Sequence, residues 1–272
     1  MKEKVSIILP TYNRAHTLQD AVNSVLNQSY PDFELLIIDD ASTDHTEELV
    51  RSMQDERIVY YKLEKNSGAS AARNCGLKHA RYDYIAFEDS DDIWHQDKLE
   101  KQMDVLVHAD ADTGFCYHKM RYDLEQQYII LPSDAIPLSK KSGYIFDQLL
   151  YDNLIGCPTI LARRDCIMQT TFFDEEMKAL EDYDLVLQMA KVKKAVFLNE
   201  ILLEAGYSTT GVSGSMVNYL FASCQILLKY KSDYVRTGTL QHRLNDILTS
   251  AERLGVLHQI ADLLEKIMLV KG

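Results

Sequence analysis

Long apolar runs and basic charge are both scarce in this chain, and each shortage argues against a class of protein. No apolar stretch approaches the roughly 18 residues that a membrane-spanning helix needs. Lysine and arginine number 29 against 41 aspartates and glutamates, which gives a net charge of −12. Because nucleic-acid binding needs a basic surface, nucleic acid is not expected as a partner. The acidic chain also has no general attraction for an anionic membrane.

Three further absences bear on location and chemistry. The five cysteines are odd in number and include no Cys-x-x-Cys pair, so we expect reduced thiols in a cytosolic protein rather than a disulfide framework or a zinc site. The apolar run at residues 5–9 ends at Pro10 and is too short for a signal-peptide core. Neither a glycine-rich phosphate loop followed by lysine nor a G-x-G-x-x-G sequence occurs, which argues against a nucleotidyltransferase.

Strand-like and helix-like patterns alternate through the first part of the chain. Short apolar runs predict strands at residues 5–9, 33–38, 58–63 and 84–87. The stretches between and after them predict helices at residues 15–29, 45–53, 69–80 and 96–108. This alternation is typical of a parallel sheet with helices on both faces, in which ligands bind beyond the carboxyl ends of the strands.

The second part of the chain is less regular. Strands are predicted at residues 115–120 and 128–131, helices at 143–151 and 181–191, a loop rich in glycine and hydroxyl groups at 206–215, and helices from 216 onward. We expect one domain at residues 1–212, in two halves (1–110 and 111–212), and a helical C-terminal extension at 213–272. An apolar stripe in the last helix indicates packing on the domain, with a dimer contact or a membrane-surface helix as alternatives; it consists of Leu254, Leu257, Ala261, Leu264 and Ile267.

An acidic stretch follows the apolar run at residues 84–87. It begins with Glu88 and contains Asp89 and Asp91, which an extended backbone would point to the same side. Carboxylates at the end of a buried strand are costly unless positive charge lies among them. Oxygen ligands of this kind suit Mg²⁺ or Mn²⁺, ions that leave coordination positions for substrate phosphates. The stretch therefore predicts a metal that binds a diphosphate, although aspartates also gather in turns and helix caps.

Five short motifs follow one another along the chain. They are Pro-Thr-Tyr-Asn at 10–13, Asp-Asp-Ala-Ser-Thr-Asp at 39–44, Asn-Ser-Gly with Ala-Arg-Asn at 66–74, Asp-Ser-Asp-Asp-Ile-Trp at 89–94 and Glu-Asp at 181–182. Each motif alone is weak, but in this order they resemble those of the family 2 glycosyltransferases, which are inverting nucleotide-sugar enzymes with the GT-A fold. The resemblance covers about residues 4–200 and implies a nucleotide-binding half at 1–110 and an acceptor-binding half at 111–212. The fold that the resemblance implies is α/β, a mixed and mostly parallel sheet flanked by helices with a helical C-terminal extension.

The resemblance also implies a role for each matching residue. Asp40 would accept a hydrogen bond from the nucleotide base, with the N3–H of uracil as the first expectation and other bases as the alternative. Asp89 would bind ribose or metal, and Asp91 would ligate the metal directly. Asp182 would be the general base, and Arg73 would face the base or the diphosphate. The remaining nucleotide-sugar contacts expected from the motifs are Pro10, Thr11, Tyr12, Asn13, Asn66 and Ser90.

The implied reaction is a single displacement. An acceptor hydroxyl attacks the sugar carbon that carries a nucleoside diphosphate, UDP in the first place, while Asp182 removes the proton. Mn²⁺ or Mg²⁺ stabilises the leaving diphosphate as a Lewis acid. By family analogy, the acceptor is a glycan or a lipid-linked molecule of bacterial surface polysaccharide synthesis, and the enzyme works in the cytoplasm or at the inner face of the plasma membrane. The alternative is a nucleotide-sugar-binding or interaction protein that has lost turnover.

Two positions depart from the family pattern, and the assignment of the general base has alternatives. Glu88 replaces an apolar residue and either adds negative charge near the metal or points away behind the strand. Tyr207 is followed by serine where the family often has an arginine, so another cation would have to contact the diphosphate. Acidic residues also favour helix N-termini, which gives Asp182 a structural interpretation. Asp184 is a second candidate for the base.

Overall fold

The computed structural model describes residues 3–124, 127–206 and 215–269, and these residues form one sheet of nine strands with helices on both faces. The strands are β1 (Val5–Thr11), β2 (Phe33–Asp39), β3 (Ile58–Lys62), β4 (Tyr84–Phe87), β5 (Ile93–Trp94), β6 (Thr113–Leu124), β7 (Gln127–Leu131), β8 (Leu161–Arg163) and β9 (Lys194–Ala205). The helices are α1 (Leu18–Leu26), α2 (Thr46–Ser52), α3 (Ala69–His79), α4 (Lys98–His108), α5 (Phe146–Tyr151), α6 (Arg164–Ile167), α7 (Glu181–Val192), α8 (Met216–Lys229), α9 (Lys231–Thr237), α10 (Leu240–Leu254) and α11 (Leu257–Leu269).

The strand order is β3-β2-β1-β4-β8-β6-β9-β5, with β7 paired to β6. Strand β1 runs parallel to both β2 and β4, and β2 runs parallel to β3. The predicted parallel arrangement of the first half is therefore confirmed. Strand β8 is antiparallel to both β4 and β6, while β6 and β9 are parallel. The sheet is consequently mixed, with its parallel part at the N-terminal side.

Burial on both faces explains why β1 and β2 consist of nearly continuous apolar runs, since every residue of both strands is buried. Helices α1, α2 and α4 cover one face, and α3 and α7 cover the other. Helix α3 lies very close to β1. A Cβ atom at Gly76 would lie 2.5 Å from Cγ2 of Ile8, which is closer than carbon atoms can pack. This close contact brings the N-terminus of α3 to the carboxyl edge of the sheet.

The C-terminal helices share the apolar core of the face that α3 and α7 cover. The expected single last helix is interrupted at Gly255, which has a φ of 67° and separates α10 from α11. The buried residues of this region are Val256, Ile260, Leu264 and Ile267. Leu254 is 44% exposed and Ala261 is exposed, so the prediction that these two residues belong to the packed stripe is wrong. Because the helix is broken at Gly255, the residues before and after it do not keep the regular helical spacing on which that prediction depends.

Strands β5, β8 and β9 are missing from the sequence prediction, because the first two are very short and β9 contains polar residues in its middle. The predicted loop rich in glycine and hydroxyl groups falls largely on residues 207–214, outside the described residues. Within the described part of the chain, none of the helices combines the length and the apolar character needed to cross a membrane.

Candidate functional site

A cavity of about 730 Å³ opens at the carboxyl ends of β1, β2 and β4 and is closed on the other side by residues of β6, β7 and α7. Every site residue predicted from the sequence lines this cavity: Pro10, Thr11, Tyr12, Asn13, Asp40, Asn66, Arg73, Asp89, Ser90, Asp91 and Asp182. The fold thus brings together residues that are far apart along the chain. Their individual roles remain predictions.

The loop after β1 is linked to the loop after β2. Asn13 has a φ of 52°, and its side-chain oxygen accepts hydrogen bonds from the backbone N–H groups of Thr43 (2.8 Å) and Asp44 (3.3 Å). Its own N–H donates to Oγ of Ser42 at 2.9 Å. Tyr12, which precedes it, is 43% exposed and lines the cavity. Asn13 therefore shapes the loop, while the Tyr12 ring is free for stacking.

Asp40 fixes the N-terminus of α3. Its two carboxylate oxygens accept hydrogen bonds from the backbone N–H groups of Ser67 and Gly68, both at 2.7 Å. Gly68 has a φ of 92°, which favours glycine at this position. Burial raises the pKa of Asp40, and these two hydrogen bonds oppose the shift. Because each carboxylate oxygen has a second lone pair, Asp40 can still accept a hydrogen bond from a ligand.

Arg73 joins the two halves of the cavity. Its guanidinium donates to Oδ1 of Asp89 at 2.7 Å and to Oε1 of Glu181 at 2.9 Å, and its side chain is only 7% exposed. The Nε–H of Arg73 has no hydrogen-bond partner in the structure. Burial disfavours the charge of this guanidinium, and the neighbouring carboxylates of Asp89 and Glu181 stabilise it. Arg73 therefore connects the acidic stretch after β4 with the first turn of α7, in addition to lining the cavity.

Asp89 and Asp91 lie on a turn, so the extended backbone assumed for them is wrong. The N–H of Asp92 donates to the carbonyl oxygen of Asp89 at 3.2 Å and closes this turn. Asp91 forms an ion pair with Arg14, whose Nη2 lies 3.5 Å from Oδ2 of Asp91. Both aspartates nevertheless line the same cavity, and each forms an ion pair with a different arginine.

The turn is also attached to the end of β9. The carboxylate of Asp92 accepts a hydrogen bond from the N–H of Gly206 at 2.9 Å. A Cβ atom at Gly206 would lie 2.2 Å from the carbonyl oxygen of Asp91, so only glycine fits there. Glu88, in contrast, is fully buried and is not among the residues that line the cavity. Its carboxyl therefore points away from the cavity, and burial raises the pKa of Glu88 well above its usual value.

Asp182 lies in the first turn of α7, facing the cavity. Its carboxylate accepts hydrogen bonds from the backbone N–H groups of Tyr183 (2.7 Å) and Cys157 (3.3 Å). Burial, with a smaller contribution from the charge of Glu181, raises the pKa of Asp182 to about 6, although Arg73 opposes the shift. A carboxylate with a pKa in this range is a better general base at neutral pH than an ordinary aspartate.

Asp184, the second candidate for the base, faces the other way. It is fully buried, and its carboxylate accepts hydrogen bonds from Lys229 (2.7 Å), Tyr230 (2.9 Å) and Gln188 (2.8 Å). Asp184 is not among the residues that line the cavity. It therefore connects α7 to the C-terminal helices, and of the two candidates for the base Asp182 is the one that faces the cavity.

Negative charge dominates the described lining of the cavity. Six carboxylates line it, from Asp40, Asp89, Asp91, Asp92, Glu181 and Asp182, against the two arginines Arg14 and Arg73. Burial, followed by the charge of Asp89, raises the pKa of Asp91. Among the described residues, no group of three or more His, Cys, Asp or Glu side chains is arranged to bind a metal on its own. Asp89 and Asp91 therefore fit a divalent cation that shares its coordination with a substrate diphosphate.

Several residues that line the cavity are absent from the sequence prediction: Arg14, Asp92, Tyr122, Cys157 and Tyr219. The first two are adjacent to predicted positions, so the motifs themselves contained a signal for them. The other three come from β6, from the segment before β8 and from α8. Nothing in the local pattern of those segments indicates that they meet at one site.

Comparisons with known proteins agree with this arrangement. A model of the family described as "Glycosyl transferase family 2" matches residues 6–167. The "Putative teichuronic acid biosynthesis glycosyltransferase TuaG" of Bacillus subtilis is 34% identical over 223 residues, which are 79% of this chain and 83% of that protein. The "UDP-Glc:alpha-D-GlcNAc-diphosphoundecaprenol beta-1,3-glucosyltransferase WfgD" of Escherichia coli is 36% identical over 187 residues, which are 69% of this chain and 70% of that protein.

Two solved structures have the same fold. TarS (residues 1–349) of S. aureus in complex with UDP-GlcNAc superposes with a TM-score of 0.73, at 20% identity, over 97% of this chain and 81% of that chain. The mannosyltransferase PcManGT of Pyrobaculum calidifontis, in complex with GDP-Man and Mn²⁺, gives a TM-score of 0.67 at 19% identity, over 96% of this chain and 76% of that chain. These similarities confirm the predicted fold class of a mixed, mostly parallel sheet with C-terminal helices.

Proposed function

This chain belongs to glycosyl transferase family 2 and is a glycosyltransferase, and we propose that it transfers a sugar from a nucleoside diphosphate, UDP in the first place, to a hydroxyl group with inversion at the anomeric carbon. The observation that carries this proposal is one cavity in which the carboxylates of Asp40, Asp91 and Asp182 all meet. These residues come from the ends of β2 and β4 and from the start of α7. Together they supply a base-recognition group, a cation ligand and a proton acceptor.

Asp182 is the proposed general base. An acceptor hydroxyl is a poor nucleophile until its proton is removed as the new bond forms. With a pKa of about 6, Asp182 is ionised at neutral pH and can accept that proton. The backbone N–H groups of Cys157 and Tyr183 orient its carboxylate. Attack from the side opposite the leaving group requires Asp182 and the diphosphate to lie on opposite sides of the bound sugar.

The nucleotide is proposed to bind against the loops after β1 and β2. Asp40 accepts a hydrogen bond from the base, Thr11 lines the base pocket and Tyr12 stacks on it. The name of WfgD specifies UDP-glucose, and TarS was solved with UDP-GlcNAc, which supports UDP as the first candidate. PcManGT was solved with GDP-Man, so a guanine nucleotide is the alternative that needs testing.

The diphosphate is proposed to share a divalent cation with Asp91 and Asp89. When bound, Mn²⁺ or Mg²⁺ would act as a Lewis acid towards the leaving diphosphate. The excess of carboxylates in the described cavity supports this assignment, as does the Mn²⁺ in the PcManGT structure. Arg73 donates hydrogen bonds to both Asp89 and Glu181 and so links the proposed cation ligands to the first turn of α7.

The acceptor is proposed to be a glycan or a lipid-linked sugar of bacterial surface polysaccharide synthesis. The name of TuaG refers to teichuronic acid, and that of WfgD refers to a diphosphoundecaprenol-linked sugar. Such acceptors are made at the cytoplasmic face of the membrane, so we place this enzyme in the cytoplasm or peripherally on that face. The proposed division assigns residues 1–110 to the nucleotide, 111–212 to the acceptor and 213–272 to a helical extension, which is the proposed surface for contact with a membrane or a second copy.

The donor can be identified by thermal denaturation with UDP, GDP, dTDP and CMP, each with and without Mn²⁺. Specific binding to the folded state raises the melting temperature. We expect UDP to give the largest shift and Mn²⁺ to increase that shift. A transfer assay with UDP-glucose and UDP-GlcNAc on lipid-linked acceptors then tests turnover. Binding of UDP without transfer, and full biological activity in the Asp182→Asn variant, would instead favour a nucleotide-sugar-binding protein without catalysis.

A further inference from the structure

A nucleoside diphosphate needs donors near the oxygens that gain charge in the reaction. Two arginines line the described part of the cavity. Arg73 is held in a short ion pair with Asp89 and another with Glu181, and it keeps only its Nε–H without a hydrogen-bond partner. The segment 207–214, which follows Gly206, contains no lysine or arginine in its sequence. Arg14 is therefore the arginine of the described lining whose planar pair of Nη groups is held least tightly.

Hydrogen bonds hold the backbone of Arg14, whereas its side chain forms a comparatively long ion pair. Its N–H donates to Oγ1 of Thr46 at 3.3 Å, and its carbonyl oxygen accepts from the N–H groups of Thr17 (3.0 Å) and Leu18 (2.9 Å) at the start of α1. Its guanidinium lies 3.5 Å from Asp91, which is longer than the 2.7 Å and 2.9 Å contacts of Arg73. The side chain is 21% exposed, so it has room to move within the cavity.

The partner of Arg14 is the carboxylate that we assign to the metal. A guanidinium and a divalent cation cannot both occupy the same side of one carboxylate at close range, because like charges repel. Binding of the cation to Asp91 would therefore release Arg14 at the place where the diphosphate arrives. Arginine suits this second partner, because its planar fork of N–H donors matches phosphate oxygens.

We propose that Arg14 is a counter-ion that exchanges partners: it neutralises Asp91 in the free enzyme and contacts the diphosphate of the donor once Asp91 has bound its divalent cation. This inference rests on the proposed function, since it takes the nucleoside diphosphate as the ligand. It gives Arg14 two effects of opposite sign. Arg14 competes with the cation in the absence of nucleotide and strengthens binding of the diphosphate in its presence.

The test measures these two effects separately on the full chain. Arg14→Met removes the charge and keeps much of the apolar length, and Arg14→Lys keeps the charge without the planar fork. Arg51→Met is the matched control, because Arg51 is 67% exposed on α2 and pairs with Glu47 outside the cavity lining. Binding of Mn²⁺ alone is measured by electron paramagnetic resonance. Binding of UDP, inorganic pyrophosphate and uridine, each with Mn²⁺, is measured by calorimetry.

We expect Arg14→Met to bind Mn²⁺ alone several-fold more tightly than the wild type, since roughly this change follows from removing one nearby positive charge at a partly exposed site. We expect UDP and pyrophosphate to bind roughly ten- to a hundredfold more weakly, as the loss of a charge-assisted hydrogen bond gives. Uridine, which has no phosphate, should bind unchanged. Arg14→Lys should fall between Arg14→Met and the wild type for UDP, and Arg51→Met should match the wild type.

Other outcomes would overturn the proposal. Weaker binding of Mn²⁺ and of UDP together would show that Arg14 only maintains the shape of the loop, and tighter Mn²⁺ binding with unchanged UDP binding would show a counter-ion without a substrate contact. An equal loss for uridine would place the effect on the nucleoside. If the wild type binds pyrophosphate but not UDP, the proposed donor is wrong while the Mn²⁺ and pyrophosphate measurements still decide the role of Arg14.

Discussion

Replacement of Asp182 by asparagine should separate catalysis from stability, because the two respond in opposite directions. Asparagine has nearly the same shape but cannot accept the proton of the acceptor hydroxyl. Loss of a general base lowers turnover by roughly 10²- to 10⁴-fold, or about 3 to 5 kcal/mol in activation free energy. Affinity for UDP should change little, since Asp182 lies on the wall of α7 rather than on the nucleotide loops.

The stability of the folded Asp182→Asn variant, in contrast to its turnover, should not fall at neutral pH. The pKa of Asp182 is raised from 3.8 to about 6 by burial and by Glu181, so the folded protein loses stability as the pH rises above the unfolded value. That cost develops between pH 3.8 and about 6 and is absent below this window. The uncharged asparagine avoids it. The Asp182→Asn variant should therefore melt at an equal or higher temperature than the wild type at neutral pH, and it should lose this advantage in acid.

Measurement of kcat/KM against pH tests whether the loss of turnover and the change in stability both arise from the carboxyl of Asp182. In the wild type, kcat/KM should fall about tenfold per pH unit below a pH of about 6, as Asp182 is protonated. The variant should lack this limb. Asp184→Asn is the matched control, since Asp184 lies on the same helix and is bonded to Lys229 and Tyr230. It should lower stability and keep the limb. Wild-type turnover in Asp182→Asn, or an unchanged acidic limb, would refute the assignment of the base.

Three further substitutions test the walls of the cavity. Asp91→Asn should weaken UDP binding with Mn²⁺ but not without it, as measured by calorimetry; equal losses in both conditions would contradict a metal ligand. Gly206→Ala places a Cβ atom 2.2 Å from the carbonyl oxygen of Asp91, so it should cost roughly 1 to 3 kcal/mol of stability and reduce the Mn²⁺-dependent part of UDP binding. An unchanged unfolding midpoint would mean that the turn adapts freely. Gly68→Ala meets no atom within 4 Å but has a φ of 92°, so chemical denaturation should show a loss of about 1 kcal/mol from strain alone; a loss as large as that of Gly206→Ala would contradict this distinction.

The first half of the fold could be predicted because burial leaves a simple pattern there. Strands β1 and β2 are buried along their whole length, so their sequences are apolar runs that end at polar residues. Those polar ends are the places where a parallel sheet exposes backbone groups to a ligand. Most of the residues with which this half lines the cavity, including Asp40 and Asp91, can therefore be predicted as a group, while their neighbours Arg14 and Asp92 are missed.

The second half could not be predicted in the same way, since its pairings depend on distant partners. Strand β9 carries Asn199 and Glu200 in its middle, where its register with β6 shifts, and this breaks the alternation that would reveal a strand. Asp89 and Asp91 lie in a turn closed by a single backbone hydrogen bond, which the sequence does not distinguish from extended chain. Tyr219 reaches the cavity from α8 only because the C-terminal helices pack against α7.

The two aspartates of α7 have a consequence for building hybrid enzymes. Asp182 faces the reaction cavity, while Asp184 is bonded to Lys229 and Tyr230 at the end of α8. A chimera that takes α7 from one protein and α8 from another would leave a buried carboxylate without its cation, a change that costs several kcal/mol. Helix α7 would then shift and move Asp182, the proposed base, with it. Exchange of acceptor preference between relatives therefore requires grafting residues 181–230 as one piece.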